Sequence, residues 1–248
     1  MMLDSRNRHL KLFEQLAASE SAPVASVKKG LLVLSTRRSG SSMFCDVLSR
    51  TGEIGLCEEW FNVHYIGAYL QVMGKADVNM VDYLTFVAEK TVRDTGVFAV
   101  HSHCYQLLRQ GEVFGVNLDN MQFDFIVNIV RRDKIAQAVS LATALATERW
   151  RHDEEQSKND KVTMEGCMEA LQEIGTYEKA YLDNFAVRTD AVFAYEDFTQ
   201  HGHTKSFNEV LTALGKPPQT KFTTSLKVQR RASSRTLKEQ FIHYLENK

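Results

Sequence analysis

Two apolar runs, "LLVL" over 31–34 and "FDFIVNIV" over 123–130, constrain this chain more than any other feature. Each is almost wholly apolar rather than alternating, so each reads as a strand covered on both faces, the condition of a parallel sheet. Four strands are expected, at 30–35, 97–101, 124–130 and 191–194. Helical spacing recurs between and after them, at 41–51, 81–92, 133–151, 164–184, 206–214 and 237–246. Strand and helix alternate, which predicts an α/β fold with a parallel sheet and helices on each side. The 248 residues, 44% of them hydrophobic, hold enough apolar material for one large α/β domain over 1–248.

Two segments depart from the alternation. Leu10, Phe13, Leu16 and Ala17 fall at helical spacing, so 1–25 is expected to be an amphipathic N-terminal extension packed on the domain or on a second subunit. The stretch 60–95 carries Trp60, Phe61, His64, Tyr65 and Tyr69 and reads as a helical excursion over the sheet edge. Trp60, Phe61, Tyr65 and Tyr69 could offer ring faces to a sugar, but aromatics at helical spacing are usually core, and at least half of these four are expected to be buried. The polar run 152–161 reads as a loop or a frayed helix.

Charge and cysteines exclude several classes. The net charge is -1, so no whole-molecule basic field suits nucleic acid. Cys45, Cys57, Cys104 and Cys167 form no C-x-x-C pair. Neither a disulfide scaffold nor a zinc site is expected, and reduced thiols fit the cytoplasm. The N-terminus lacks the long apolar core of a signal peptide or membrane span.

The chemistry concentrates after the strands, where ligands sit in such folds. "STRRSGSSMF" follows the first strand and opens a helix, the layout of a phosphate loop. It has one glycine and no lysine, so it fails the nucleotide-triphosphatase pattern G-x-x-x-x-G-K-[ST]. Ser41 and Ser42 fall in the first helical turn, where unpaired N–H groups and the helix dipole favour an anion. Gly40 allows close backbone approach, Ser39 adds a hydroxyl, and Arg37 and Arg38 supply guanidinium groups for oxyanions. The ordinary alternative is a polar surface turn. A second basic pair, Arg131-Arg132, follows the third strand and leads into a helix bearing Gln137 and Ser140. Salt bridges at a helix start are the alternative there. Two anion clamps on one rim suit a ligand with two separated phosphates.

These segments resemble the bacterial trehalose 2-sulfotransferase-like sulfotransferases. The resemblance runs through "RSGSS", "TGEIGLCEEWF", "GVFAVHSHCYQLL", "IVRRDKIAQAVSLATALATERW" and "QRRASSRTLKEQF". It implies a three-layer α/β/α P-loop-like fold and the donor 3′-phosphoadenosine 5′-phosphosulfate, with no metal. On that reading Arg38, Ser39, Gly40, Ser41 and Ser42 hold the 5′-phosphosulfate, with Arg38 where related enzymes place a lysine. Arg131 and Ser140 hold the 3′-phosphate. Gln229, Arg230 and Arg231 close over the nucleotide, or are exposed cations before the last helix. The acceptor is a hydroxyl, on a sugar or a small metabolite. Glu59 is the first candidate for general base and His103 the second, with His101 where a lysine is usual.

The resemblance also implies a possible homodimer. A same-fold phosphotransferase predicts a loop lysine and a metal-binding Asp, and neither is evident in the sequence. A non-catalytic protein that binds phosphoadenosine nucleotides is the remaining alternative.

Overall fold

The computed structural model describes residues 5–23, 26–115, 121–150, 161–199, 204–226 and 232–247. Strands β1 (Lys29–Ser35), β2 (Val97–His103), β3 (Phe125–Val130) and β4 (Ala191–Ala194) form a four-stranded sheet in the order β2-β1-β3-β4. Every pairing is parallel. The helices are α1 (Ser5–Ala18), α2 (Ser41–Ser49), α3 (Val63–Met73), α4 (Met80–Thr91) and α5 (Cys104–Phe114). They continue with α6 (Lys134–Thr147), α7 (Met164–Asn184), α8 (Tyr195–Phe198), α9 (Lys205–Ala213) and α10 (Ala232–Glu246).

Side chains of β1 alternate between two apolar layers, which is why its run is unbroken. Leu32 and Leu34 pack with Phe13, Trp60, Tyr65 and Tyr83 beneath α1, α3 and α4. Leu31 and Val33 pack on the opposite face with Phe44, Leu48, Phe207 and Leu211 of α2 and α9. A third cluster joins α6, α7 and α10 around Leu141, Cys167 and Phe241.

The aromatics of 60–95 are core to a greater extent than expected. Trp60, Phe61, Tyr65 and Tyr69 are all buried. Trp60 Nε1 donates to the Ala99 carbonyl at 3.1 Å, and the Tyr83 hydroxyl donates to the Trp60 carbonyl at 2.8 Å. Two elements also depart from the spacing. Helix α6 stops at Thr147, four residues before the expected end, because Glu148 turns into the left-handed region at φ 52°. Helix α5 was not expected at all. Its start follows the strand directly, where no Ser, Thr, Asp or Asn marks a cap. The Gln106 carboxamide instead accepts from the His103 N–H at 2.9 Å, and Gly111 interrupts the spacing. Among the described residues, no helix is long and apolar enough to cross a membrane.

The chain leaves β1 for β2 on one side and returns to β3 on the other, so the strand order reverses at β1. The carboxyl end of β1 is therefore the place for a ligand crevice. Register puts Ser35 level with His103 on β2 and with Ile129 on β3. The loop after Ser35 lies between the two neighbouring strand ends.

Candidate active site

The loop 36–40 ends on Gly40, which caps α2 with φ 94°. That conformation favours glycine, and a Cβ there would come within 2.3 Å of the Tyr195 ring. The space that excludes a side chain at Gly40 is thus occupied by an aromatic ring of α8. The third and fourth helical amides, of Met43 and Phe44, turn inward to the Gly40 carbonyl. Those of Ser41 and Ser42 precede the first possible intrahelical bond. Ser39 is fully buried, and its hydroxyl has no hydrogen-bond partner. A buried orphan hydroxyl beside free helical amides is the donor set an oxyanion needs, so the loop fits the phosphosulfate that the sequence implies.

The two loop arginines part company. Arg38, itself at φ 60°, sends Nε to the Ser140 hydroxyl at 3.0 Å and one terminal nitrogen to the Trp150 carbonyl at 2.7 Å. The early end of α6 is what lets the Trp150 carbonyl turn back to it. Arg131 reaches the Arg38 carbonyl at 3.5 Å and lies 5.0 Å from the centre of the Tyr195 ring. Arg38, Arg131 and Ser140, expected at two ends of the donor, are therefore neighbours in one cluster.

Arg37 points elsewhere. Its guanidinium lies 5.1 Å from the Tyr105 ring centre and 5.6 Å from that of Trp150, and it pairs with Glu173 of α7 at 3.4 Å. Trp150, past the end of α6, packs against the α6–α7–α10 cluster.

Arg132 belongs to the scaffold. It pairs with Asp197, while Glu196 accepts from the backbone N–H groups of Arg132 and Asp133 at 3.1 Å each. The acidic "YEDF" segment thus fastens the start of α6. Gln137 is fully buried and donates to Thr36 Oγ1 at 3.0 Å and the Arg37 carbonyl at 2.7 Å, which braces the loop from α6.

The second half of the site gathers at the other edge of β1. Ser35 Oγ lies 3.0 Å from His101 Nε2, 2.9 Å from His103 Nδ1 and 3.1 Å from Ser41 Oγ. Glu59 faces the far nitrogens of both imidazoles. Its Oε1 is 3.9 Å from His101 Nδ1, and its Oε2 is 3.8 Å from His103 Nε2. Asn62 and Gln106 each donate an amide hydrogen to Oε2, at 3.0 and 2.9 Å. The bridge that places Glu59 there is backbone: Glu58 pairs in parallel with Val100, and the His101 N–H donates to the Glu58 carbonyl at 2.9 Å. Glu58 itself turns away, accepting from the Tyr65 hydroxyl at 2.6 Å and from Arg8 of α1 at 3.5 Å.

Burial works to raise the Glu59 pKa. The histidines and the two amide donors outweigh it and hold the carboxyl well below its usual range. Burial pushes His103 down to about 4, helped by His101 and Arg37 and opposed by Glu59. At neutral pH, therefore, an ionised carboxylate faces a neutral imidazole.

Sequence reasoning singled out Glu59, His103 and the loop. It passed over Ser35, Gln106 and the role of Gln137. The only available signal for Gln106 was its place three residues after His103, the spacing of a capping pair. Gln229, Arg230 and Arg231 lie outside the described residues. The segment before them is tied to α2, since Thr224 and Ser225 both donate to Asp46 at 2.7 Å.

Residues 30–243 match the Stf0 sulphotransferase family. The chain belongs to that family. It is accordingly an enzyme, a sulfotransferase, and the family implies 3′-phosphoadenosine 5′-phosphosulfate as its donor. A search of characterised proteins returned no match to this sulfotransferase.

Proposed function

We propose that this sulfotransferase moves a sulfuryl group from 3′-phosphoadenosine 5′-phosphosulfate to a hydroxyl of a small acceptor, a carbohydrate or a metabolite, in the cytoplasm. The supporting observation is the chain of contacts from Glu59 through His103 and Ser35 to Ser41. It links an ionised carboxylate, through two intervening side chains, to the first turn of α2, where an anionic donor would be held.

When bound, the donor supplies the sulfuryl group and the phosphate that leaves. The chain does the rest by binding, positioning and proton handling. Arg38, Ser39, Gly40, Ser41, Ser42 and the first amides of α2 would hold the 5′-phosphosulfate end, and Arg131 and Ser140 the 3′-phosphate. Glu59 accepts hydrogen from the acceptor hydroxyl and leaves its oxygen more nucleophilic. Positioning and electrostatic stabilisation carry most of the acceleration, and general-base help adds about 10²–10⁴-fold.

The test has two parts. Calorimetry is run with 3′,5′-phosphoadenosine bisphosphate, ATP and GTP; binding should be tight only for the first, and equal ATP binding would overturn the donor assignment. The protein is also incubated with sulfur-labelled donor and a pool of glycans, lipids and metabolites. Label should appear on a hydroxyl-bearing small molecule. Label on none of them would overturn the transfer reading in favour of a nucleotide-binding role.

A further inference from the structure

Two carboxamides beside Glu59 each serve two partners. At the start of α3, Asn62 Oδ1 accepts from the His64 N–H at 3.0 Å, and Asn62 Nδ2 donates to Glu59 Oε2 at 3.0 Å. At the start of α5, Gln106 Oε1 accepts from the His103 N–H at 2.9 Å, and Gln106 Nε2 donates to the same Glu59 oxygen at 2.9 Å. A backbone N–H can only donate. The oxygen of each carboxamide must therefore lie on the helix side, and each NH2 group on the side of Glu59. Neither amide can turn over without setting a carbonyl oxygen against the carboxylate and an NH2 group against an N–H.

The count of lone pairs then separates the two carboxylate oxygens. Each oxygen of an ionised carboxyl offers about two acceptor sites. Both sites of Oε2 are taken by amide hydrogens, at the distances of good N–H···O bonds. Oε1 accepts no hydrogen bond among the described residues, and His101 Nδ1, at 3.9 Å, is out of reach. The Glu59 side chain keeps 21% of its surface exposed, so an acceptor hydroxyl has access to it.

Resting on the sulfuryl-transfer reading, we infer that Asn62 and Gln106 are positioning residues that hold Glu59 by Oε2, and that Oε1 is the oxygen that takes the acceptor's proton. The acceptor oxygen keeps the electron pair of its broken O–H bond and uses it to bond sulfur. The sulfur–oxygen bond to the leaving phosphate breaks, and its electron pair stays on that phosphate. The proton rests on Oε1 and goes to solvent after the product, which restores the carboxylate. Oε2 carries no hydrogen of its own at any stage, so both amides stay bonded to it while the proton comes and goes.

Capping alone does not explain the choice of side chain. The Asn62 oxygen would be matched by Asp and the Gln106 oxygen by Glu, both favoured at a helix start. A carboxylate accepts from the helix equally well but has no hydrogen for Glu59, whereas a carboxamide does both. Gln106 is buried and Asn62 half-buried, so neither pair of bonds lies open to water. The titratable groups that interact with Glu59 through space are His103 and His101 of β2, Tyr105 of α5, Tyr65 of α3, His9 of α1 and Cys45 of α2. Substitution at 62 or 106 leaves all six in place.

The experiment has two readouts on the full chain. The first is ¹⁵N–¹H NMR of the side-chain amides at pH 7, with neither donor nor acceptor present. Asn62 and Gln106 should each show one amide hydrogen shifted downfield and slow to exchange, and both features should vanish in Glu59→Ala. Amide signals unmoved by Glu59→Ala overturn the inference. The second is the labelled-donor assay with the pool of glycans, lipids and metabolites, run against pH. Asn62→Asp and Gln106→Glu keep each cap and remove the hydrogen given to Oε2. Turnover should then fall off on acidification about one pH unit or more higher than in the unaltered chain, because two carboxylates that share a site push one pKa up. The donor KM should not change. A purely capping role leaves the acid limb where it was, and that result overturns the inference. Absence of label with the unaltered chain overturns the transfer reading and with it the role of Oε1. The amide signals still decide whether Oε2 is held, so the two failures are distinct.

Discussion

Arg38 Nε donates to the Ser140 hydroxyl at 3.0 Å, joining the loop after β1 to the middle of α6 across 102 positions of sequence. Ser140 sits on α6, whose start is fastened by Glu196 and whose buried Gln137 braces the same loop. The guanidinium is thus held by a rigid element rather than by the loop alone.

That coupling predicts the response of nucleotide binding. A hydrogen bond to a charged group contributes about 1.5–3 kcal/mol, so Arg38→Ala should weaken 3′,5′-phosphoadenosine bisphosphate by about 10–100-fold. Arg38→Lys should recover only part, since an ammonium cannot reproduce the planar fork. Calorimetry reads both, and an unchanged Kd for Arg38→Ala would remove the residue from the donor site.

Gly40 is fixed by a contact and by its backbone together. Gly40→Ala would set a Cβ 2.3 Å from the Tyr195 ring at a φ that L-residues resist, at a cost of about 1–3 kcal/mol or more. The double variant with Tyr195→Ala relieves the contact and keeps the φ strain, so it should be less destabilised by the change at Gly40. Urea unfolding measures both. A fully stable Gly40→Ala would refute the account.

Stability should fall on mild acidification. His103 is lowered from 6.5 to about 4, so between those values the unfolded chain binds a proton that the folded one refuses. The resulting loss begins as pH drops below 6.5 and is complete near 4. His9, also lowered to about 4 chiefly by burial, acts with the same sign. Glu59, held low as well, adds a loss below the ordinary Glu range. Urea midpoints at pH 7.5 and 5 should differ in favour of pH 7.5, and His103→Asn should narrow that difference.

Glu59→Gln should keep the fold and lose about 10²–10⁴-fold in turnover. Because the Glu59 charge raises the His103 pKa, its removal should also move the His103 titration to lower pH. NMR titration follows that shift with no acceptor present. Intact turnover in Glu59→Gln would exclude it as the base.

The sequence by itself determined the sheet and the loop that opens α2. Apolar runs such as 31–34 are dictated by burial on both faces, and a loop entering a helix at "RSGSS" exposes amides whatever surrounds it. Local spacing carries both signals, so β4 and α7 fall where it puts them. Helix α5 escaped, because its cap comes from Gln106 rather than a conventional N-cap side chain. The partners within the site were settled only by the tertiary structure. Arg37 and Arg38 are adjacent in sequence and identical in type, yet one lies against Tyr105, Trp150 and Glu173 and the other against Ser140. The parallel register brings Ser35 level with His103, and a bridge through Glu58 swings Glu59 to their far side. Hydrogen bonds and ion pairs between residues distant in sequence depend on how strands align and where helices end. No short-range pattern records those distances.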